Sequence, residues 1–458
     1  MAVLAFAQPD YASLHLHDRL QVELTHRGHQ CVGVFTDAVA ERFWHANGFR
    51  TIRCEQQAVD ALRVPIREFA IESVRRADQP EGTARHRRAV ERTMHRLQRL
   101  VPGALAALER TAPDLVVLRG PRCAERRVLD FLARELGSRV LWLGDGLLPH
   151  TICHDESGID ADAAITRRIA ADYRDVTADT PFLESCIAHL AADDQPCALS
   201  RRPLRKPPRH EWRGALWQLA REQGLARAWR ARSEWLAAAR PPLGEPRPFA
   251  LPPAPFATVL LQHPDDDRVR IDSPAAPTPE QLVVAADHAL TAAGIRARLA
   301  VVLPDRSLPA ATLAALRICG RVDLLPAAAA VDAAMTGLVV FTISHPTAVG
   351  ALLTATPVVH TGRALFGLPG VTHRAPSASF AEILPSALLG GGDTLRRRFL
   401  TALLRNDHLW CSPTHPDHNG VLGLANAIES QLGRRSPRGT RLPHRAGPPW
   451  PLAAHPPT

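Results

Sequence analysis

Lysine is almost absent: Lys206 is the only one among 55 basic residues, and all the others are arginines. With alanine and proline also abundant, this is partly a compositional lean, so an arginine count does not by itself mark a nucleic-acid binder. No RNA- or DNA-binding motif appears either, and nucleic acid is not an expected partner. Paired cysteines are missing. Cys31, Cys54, Cys123, Cys153, Cys186, Cys197, Cys319 and Cys411 are scattered, with no C-x-x-C among them. That excludes a disulfide framework and reads as reduced thiols in a cytoplasmic protein. The start, MAVLAFAQPD, lacks a basic n-region and a long apolar run, so no secretory signal is expected. No apolar run is long enough to suggest a membrane span. The longest uncharged stretch, Gly337 to Arg363, is broken by Ser344, His345, Pro346 and Pro357, and reads as strand, helix and strand in a buried sheet.

What is present is a large apolar fraction, 46% of 458 residues, and a formal charge of +9. The length predicts two domains. The charge, with a pI near 9.7, suits acidic partners such as nucleotides, anionic sugars or anionic lipid.

The chain alternates short apolar strands with amphipathic helices. Ala2–Ala7, Cys31–Phe35, Asp114–Gly120 and the run RVLWLG from Arg139 read as strands separated by helices, including a long Arg-rich helical stretch from Val59 to Leu108. The second half repeats the scheme with Ala257–Gln262, ARLAVVL, VDLL, LVVFTI and PVVHT. Thr278 caps a helix with Pro279 at its first position, and Gly294 ends it. Continuous apolar strands between helices imply parallel sheets covered on both faces. We expect an α/β protein with two Rossmann-like domains facing a cleft, the GT-B-like arrangement. The predicted divisions are 1–199, an Arg/Pro/Trp-rich insertion at 200–255, a second domain at 256–433, and a disordered tail at 434–458.

Ligands of open α/β sheets bind at the carboxyl ends of strands. One such end is Gly144-Asp145-Gly146, where the glycines would allow a sharp turn and Asp145 would point into the cleft. A carboxylate there can act as a general base on an acceptor hydroxyl. The plainer reading is a capping aspartate in an ordinary turn. The matching feature of the second half is TISHPT, where Ser344 is placed to cap a helix with Pro346 in its first turn. A helix start at a strand's carboxyl end is an anion site, or simply a well-capped helix.

Several motifs together resemble those of the bacterial capsule polysaccharide biosynthesis and export proteins, which include the β-Kdo transferases that build a Kdo linker on a phospholipid. Those motifs are Gly144-Asp145-Gly146-Leu147-Leu148-Pro149; Gly158-Ile159-Asp160; Leu261-Gln262-His263-Pro264-Asp265-Asp266; Thr356-Pro357-Val358; and, the most specific, Gly362-Arg363-Ala364-Leu365-Phe366-Gly367-Leu368-Pro369-Gly370-Val371-Thr372. The resemblance spans most of both halves. It implies inverting transfer of a Kdo-like sugar from a CMP-sugar donor to a lipid-linked or glycan acceptor, without a metal or other cofactor. Asp145 would be the catalytic base. Gln262, Asp266, Ser344, His345, Gly362 and Arg363 would hold the donor, and His15 and Arg119 would contact the acceptor. The inner-membrane surface and the capsule export machinery become candidate partners. Three positions depart from the family pattern. Gly144 stands where an acid is frequent, Leu303-Pro304 replaces His-Pro, and Ala348-Val349-Gly350 replaces Gly-x-Glu. These departures also admit a non-catalytic relative that serves as a binding partner in polysaccharide assembly or export, and His345 or His360 would be the residues to stand in for the lost histidine.

Other clusters read as structure. His263 to Asp267 is an acid-rich loop at the cleft edge. His15 and His17 are two apart and do not share a helix face. Cys411, His415 and His418 lack the second cysteine pair of a zinc site. The Arg/Trp stretch, with Trp212, Trp217, Trp229 and Trp235, is either a helical insertion with a solvated arginine face or a segment lying on an anionic membrane.

Overall fold

The computed structural model describes residues 1–7, 13–36, 38–54, 64–74, 83–120, 123–192, 209–223, 229, 249–273, 275–317, 320–413 and 416–433. The first half contains β1 (Val3–Ala7), α1 (Leu14–His26), β2 (Gln30–Phe35), α2 (Ala38–Ala46), β3 (Thr51–Arg53), α3 (Ile66–Val74), α4 (Ala84–Thr111), β4 (Leu115–Arg119), α5 (Ala124–Glu135), β5 (Arg139–Asp145), β6 (Thr151–Asp155), α6 (Thr180–Ala192) and α7 (Arg209–Gln223). The second contains β7 (Phe256–Leu260), α8 (Asp267–Arg270), α9 (Pro279–Ala292), β8 (Arg298–Val302), α10 (Ala310–Leu316), β9 (Val322–Leu325), α11 (Ala330–Thr336), β10 (Val340–Thr342), α12 (Ala348–Leu353), β11 (Val358–His360), β12 (His373–Arg374), α13 (Phe380–Leu388) and α14 (Asp393–Asn406). The chain closes with β13 (His408–Trp410) and α15 (His418–Gly433).

Two sheets result, a seven-stranded one in the order β13-β6-β5-β4-β1-β2-β3 and a six-stranded one in the order β12-β11-β10-β7-β8-β9. Every ladder of the second sheet is parallel, as are those joining β3, β2, β1, β4 and β5. The central strands are apolar because helices cover both faces. Leu115 to Arg119 and Phe256 to Leu260 are buried at every position. Each fully buried Leu, Val or Phe of these strands contributes roughly 1.5–3 kcal/mol. Thr278 and Gln281 close a reciprocal capping box at α9, as its sequence implies. The architecture is the expected one: two Rossmann-like domains facing a cleft, in the GT-B manner.

The chain crosses between the domains twice, which the linear divisions do not anticipate. Tyr173, Leu183, Cys186 and Leu190 already pack in one core with Leu352, Phe399 and Leu403 of the second domain, and Arg405 pairs with Asp179 just before α6. In return, β13 pairs antiparallel with β6. Helix α15 then buries Val421, Leu424 and Ile428 against Leu16, Leu20 and Leu24 of α1. Glu429 joins Arg27 and His29 there at 2.7 and 3.0 Å.

Two sequence expectations change. The single helical stretch from Val59 to Leu108 is two helices, α3 and α4, with 55–63 and 75–82 outside the described residues. The polar segment after Asp145 is a β-hairpin into β6 followed by short 3-10 turns. The expected tail, 434–458, and most of 200–248 also lie outside the described residues.

Candidate active site in the interdomain cleft

In an open sheet the binding crevice lies where the strand order reverses, outside the carboxyl ends. In the first sheet that place is between β1 and β4; in the second it is between β7 and β10. Of the sequence-predicted residues, Arg119 and Asp145 close β4 and β5, and Gln262 and Ser344 follow β7 and β10.

Arg119 is the last residue of β4, and Asp145 the last of the neighbouring β5. The Arg119 guanidinium donates to Asp145 Oδ1 at 2.7 Å. Arg119 is 4% exposed and Asp145 70% exposed. Arg119 is therefore not the open acceptor contact expected from sequence. It lies under the carboxylate and fixes its direction, while most of Asp145 remains open to solvent. The flanking glycines are needed for close approach, not for a turn of positive φ. A Cβ on Gly144 would lie 2.8 Å from Cys153 Sγ, and one on Gly146 would lie 1.9 Å from Thr151 Oγ1. These contacts are the two arms of the β5–β6 hairpin pressed together. Cys153 donates to the Asp145 carbonyl across 3.4 Å, and burial pushes its thiol up to about 12, so it is an inert packing group.

His15 lies in the first turn of α1, half-buried. This is the carboxyl side of the first sheet, since α1 follows β1. His17 is a core residue, with Nδ1 donating to the Ser13 carbonyl and its ring edge-on to Phe6 and Trp44.

In the second domain the crevice is bridged by a hydrogen bond. Gln262, two residues beyond β7, accepts the Ser344 backbone N–H at 2.8 Å, and the Ser344 hydroxyl lies 3.4 Å away. This overturns the expected helix start at Ser344. Residues 344–347 form a turn, α12 begins at Ala348, and its N-cap Thr347 makes no side-chain cap bond. The physical reason is Gln262, which takes the amide that a helix N-terminus would have offered to an anion. Asp266 is also occupied, capping α8 by accepting Arg268 N–H at 2.9 Å. Asp267 pairs with Arg270 at 2.6 Å.

Gly362 sits where only glycine fits. A Cβ would meet Ser273 Oγ at 2.2 Å and the Ile343 carbonyl at 2.9 Å. That close approach brings Arg363 N–H within 3.2 Å of Ser273 Oγ. The Arg363 side chain then reaches the first domain, where Nη2 donates to the Ala161 carbonyl at 2.9 Å. The rest of the specific motif wraps around His360. The His360 Nδ1 lies 3.0 Å from the Gly362 carbonyl and its Nε2 3.0 Å from Thr372 Oγ1. With both nitrogens engaged and the ring buried, His360 does not reach the cleft and is not free to serve a ligand there.

Arg268 is the residue that sequence reading missed. It directly follows the acid loop His263 to Asp267 and is not among the expected site residues. Its Nε donates to Asp160 Oδ1 of the first domain at 2.7 Å. Burial alone would lower its pKa, but the charges of Asp160, Asp266 and Asp145 and the Asp160 hydrogen bond outweigh that and raise it. Asp160 has φ +52°, a left-handed conformation that Asp and Asn tolerate better than most residues. Burial, and then the charge of Arg268, push His345 down to about 4. Thr347 N–H points at His345 Nδ1 across 3.3 Å, so the neutral ring carries its proton on Nε2. The Arg268–Asp160 ion pair thus joins the two sides of the cleft. Among the described residues no group of His, Cys, Asp and Glu side chains forms a metal cage.

No family model matches the chain, and no curated protein matches it. Solved structures do. The Thermosulfurimonas dismutans KpsC beta Kdo 2,7 transferase is 14% identical at a TM-score of 0.39, covering 71% of this chain and 90% of its own. The beta Kdo 2,4 transferase of the same KpsC is 16% identical at 0.37, covering 68% and 87%. The glycosyltransferase SnogD from Streptomyces nogalater is 16% identical at 0.32, covering 94% and 100%.

Proposed function

We propose that the protein is a glycosyltransferase that moves a sugar from a nucleotide-sugar donor in the second domain to an acceptor hydroxyl in the first. The observation that carries this reading is the meeting of the two crevices: Asp145 is held by Arg119 at the end of β5, while Arg268 pairs with Asp160 and Arg363 spans to Ala161. The motif resemblance sharpens the donor to a CMP-sugar of the Kdo type, the acceptor to a lipid-linked or other glycan, and the setting to capsule polysaccharide assembly. In the reaction, Asp145 takes the acceptor's proton as its oxygen attacks the anomeric carbon. The bond to the nucleotide breaks on the opposite face, and cytidine monophosphate leaves with the electron pair. Arg363 and Arg268 supply cationic donors for the leaving phosphate or the sugar carboxylate. The neutral His345 offers an Nε2–H to an oxygen without adding charge.

The test is calorimetric titration of a panel of CMP-, UDP-, GDP- and dTDP-sugars, followed by an assay for released nucleotide. Binding of a CMP-sugar with slow nucleotide release is expected, and Asp145→Asn should keep the binding and lose the release. A second reading, a non-catalytic relative, draws on the closed Gln262–Ser344 bridge and on Leu303 and Gly350, where family residues are absent. Failure of every nucleotide-sugar to bind would select it.

A further inference from the structure

The positive charge of the chain is not spread evenly. Between Ser200 and Pro255 there are twelve basic side chains against four acidic ones, and from Arg434 onward five arginines and no acid. These two segments hold more than the whole net charge of +9, so the remainder of the chain is net negative, by four. The arginine excess is thus localised and not only compositional. Four of the eight tryptophans fall in the first of these segments.

Helix α7 is the longest described part of that segment. Its inner face buries Ala215 and Leu219 in a cluster with Phe35, Ala38, Val39 and Trp44, which fixes the helix on the first domain. Its outer face carries Arg213, Trp217 and Arg221, all exposed, with Trp217 at 69%. Residues four apart lie one above the other on a helix, so the three form a single row about 12 Å long. The row sets one large apolar ring between two cations. It matches a bilayer interface, where the indole enters the headgroup boundary and the guanidinium groups pair with lipid phosphates.

We propose that the outer face of α7 docks the protein on an anionic lipid surface. Nucleic acid is the less suitable occupant, because single strands are held in grooves or on platforms of several stacked aromatics, whereas α7 presents a convex row with one ring. No described helix is long and apolar enough to cross a membrane. The inference does not depend on the transferase reading.

The experiment is co-sedimentation of the full chain with vesicles of phosphatidylcholine alone and of phosphatidylcholine mixed with phosphatidylglycerol. Binding only to the mixed vesicles, weakening as salt rises, is expected. Each neutralised arginine should cost about fivefold, so Arg213→Gln with Arg221→Gln should lose about 25-fold. Trp217→Ala should weaken binding while leaving the salt dependence unchanged. Melting curves should be unaltered, since all three side chains are exposed. Arg306→Gln with Arg317→Gln, on exposed positions of the second domain, should have no effect. Absence of binding to the mixed vesicles, or an equal loss in the second-domain variant, overturns the proposal. So does binding to polyuridylic acid, sensitive to the α7 variants, without binding to vesicles.

Discussion

The two crevices are finished differently. The first sheet puts charge on its strand ends: Arg119 closes β4 and Asp145 closes β5, tied to each other. The second bridges its crevice with a hydrogen bond of neutral groups, Gln262 to Ser344, and carries its arginines beyond the strand ends, Arg268 in the one-turn helix α8 and Arg363 on the loop after β11. A side chain on a strand end is aimed by the whole ladder. One on a loop can follow a ligand or the facing domain. On the proposed transferase reading, the first crevice should therefore govern the chemical step, and the second the affinity for the donor.

The largest expected effect separates these roles. Asp145→Asn should reduce turnover by about 10²–10⁴-fold with donor affinity nearly unchanged, because the amide keeps the size of the carboxylate but takes no proton. Arg363→Ala should weaken donor binding by roughly tenfold or more, since it removes a cation from an anion site. Calorimetry and a nucleotide-release assay on both variants test the division. A variant Asp145→Asn that turns over at the wild-type rate would make Asp145 a turn residue only.

Next in size is a pH effect on stability, with one contribution from each sheet. Burial pushes both His360, on β11, and His408, on β13, down to about 4, against about 6.5 when unfolded. Each is neutral in the fold, so the unfolded chain takes the proton first. Their contribution is complete above pH 6.5 and is lost as the pH falls toward 4, by up to about 3 kcal/mol each. Burial raises the Asp407 carboxyl to about 6, and the charges of Arg168 and Asp155 modify this. That group works in the opposite sense, losing stability as the pH rises through 6, and it cancels about one histidine. Urea unfolding at pH 4.5 and 7 should show the protein weaker at the lower value. His360→Gln should flatten the dependence, and an unchanged slope would mean that the ring is open to water.

Smaller again are the close approaches behind the two crevices. Gly146→Ala drives a methyl into Thr151 Oγ1, which is itself bonded to the Leu148 carbonyl at 2.7 Å. Gly362→Ala meets the Ile343 carbonyl and Ser273 Oγ. Each should cost about 1–3 kcal/mol. Because the Gly362 clash includes backbone, which cannot rotate away, that variant should lose more. Thermal melts of the two rank them directly.

Strand and helix order could be read from the sequence because apolar runs and caps are local signals. Leu115 to Leu118 could hardly be anything but a buried strand, and Thr278-Pro279 announces its helix. The crossings could not be read, since nothing local in Leu183 or Leu424 says which domain each will touch. Of the candidate site, only the local placements were legible. Asp145, Ser344 and Arg363 stood out by motif and do sit at carboxyl ends of strands. The Gln262–Ser344 bond, which replaces a helix N-terminus with a turn, joins residues 82 apart. The same is true of Arg268, whose importance depends on Asp160, 108 residues earlier. Pairings of that separation leave no periodicity to detect.

That pair supplies the finest test of the comparison, because it joins the α8 charge of the second crevice to the first domain. Both side chains are about one-fifth exposed, 22% for Arg268 and 21% for Asp160, so solvent screens the pair only in part. Asp160→Asn is the clean perturbation: asparagine tolerates the left-handed backbone at φ +52° and keeps the shape while removing the charge. Combined with Arg268→Gln in a double-mutant cycle, it should show a coupling of about 1 kcal/mol in unfolding free energy. If Arg268 also serves the donor, Asp160→Asn should tighten donor binding a few-fold, because the guanidinium then has no competing carboxylate. A coupling near zero would mean that the contact does not fasten the domains. Weaker donor binding in Asp160→Asn would mean that Asp160 holds Arg268 in the pose the donor needs.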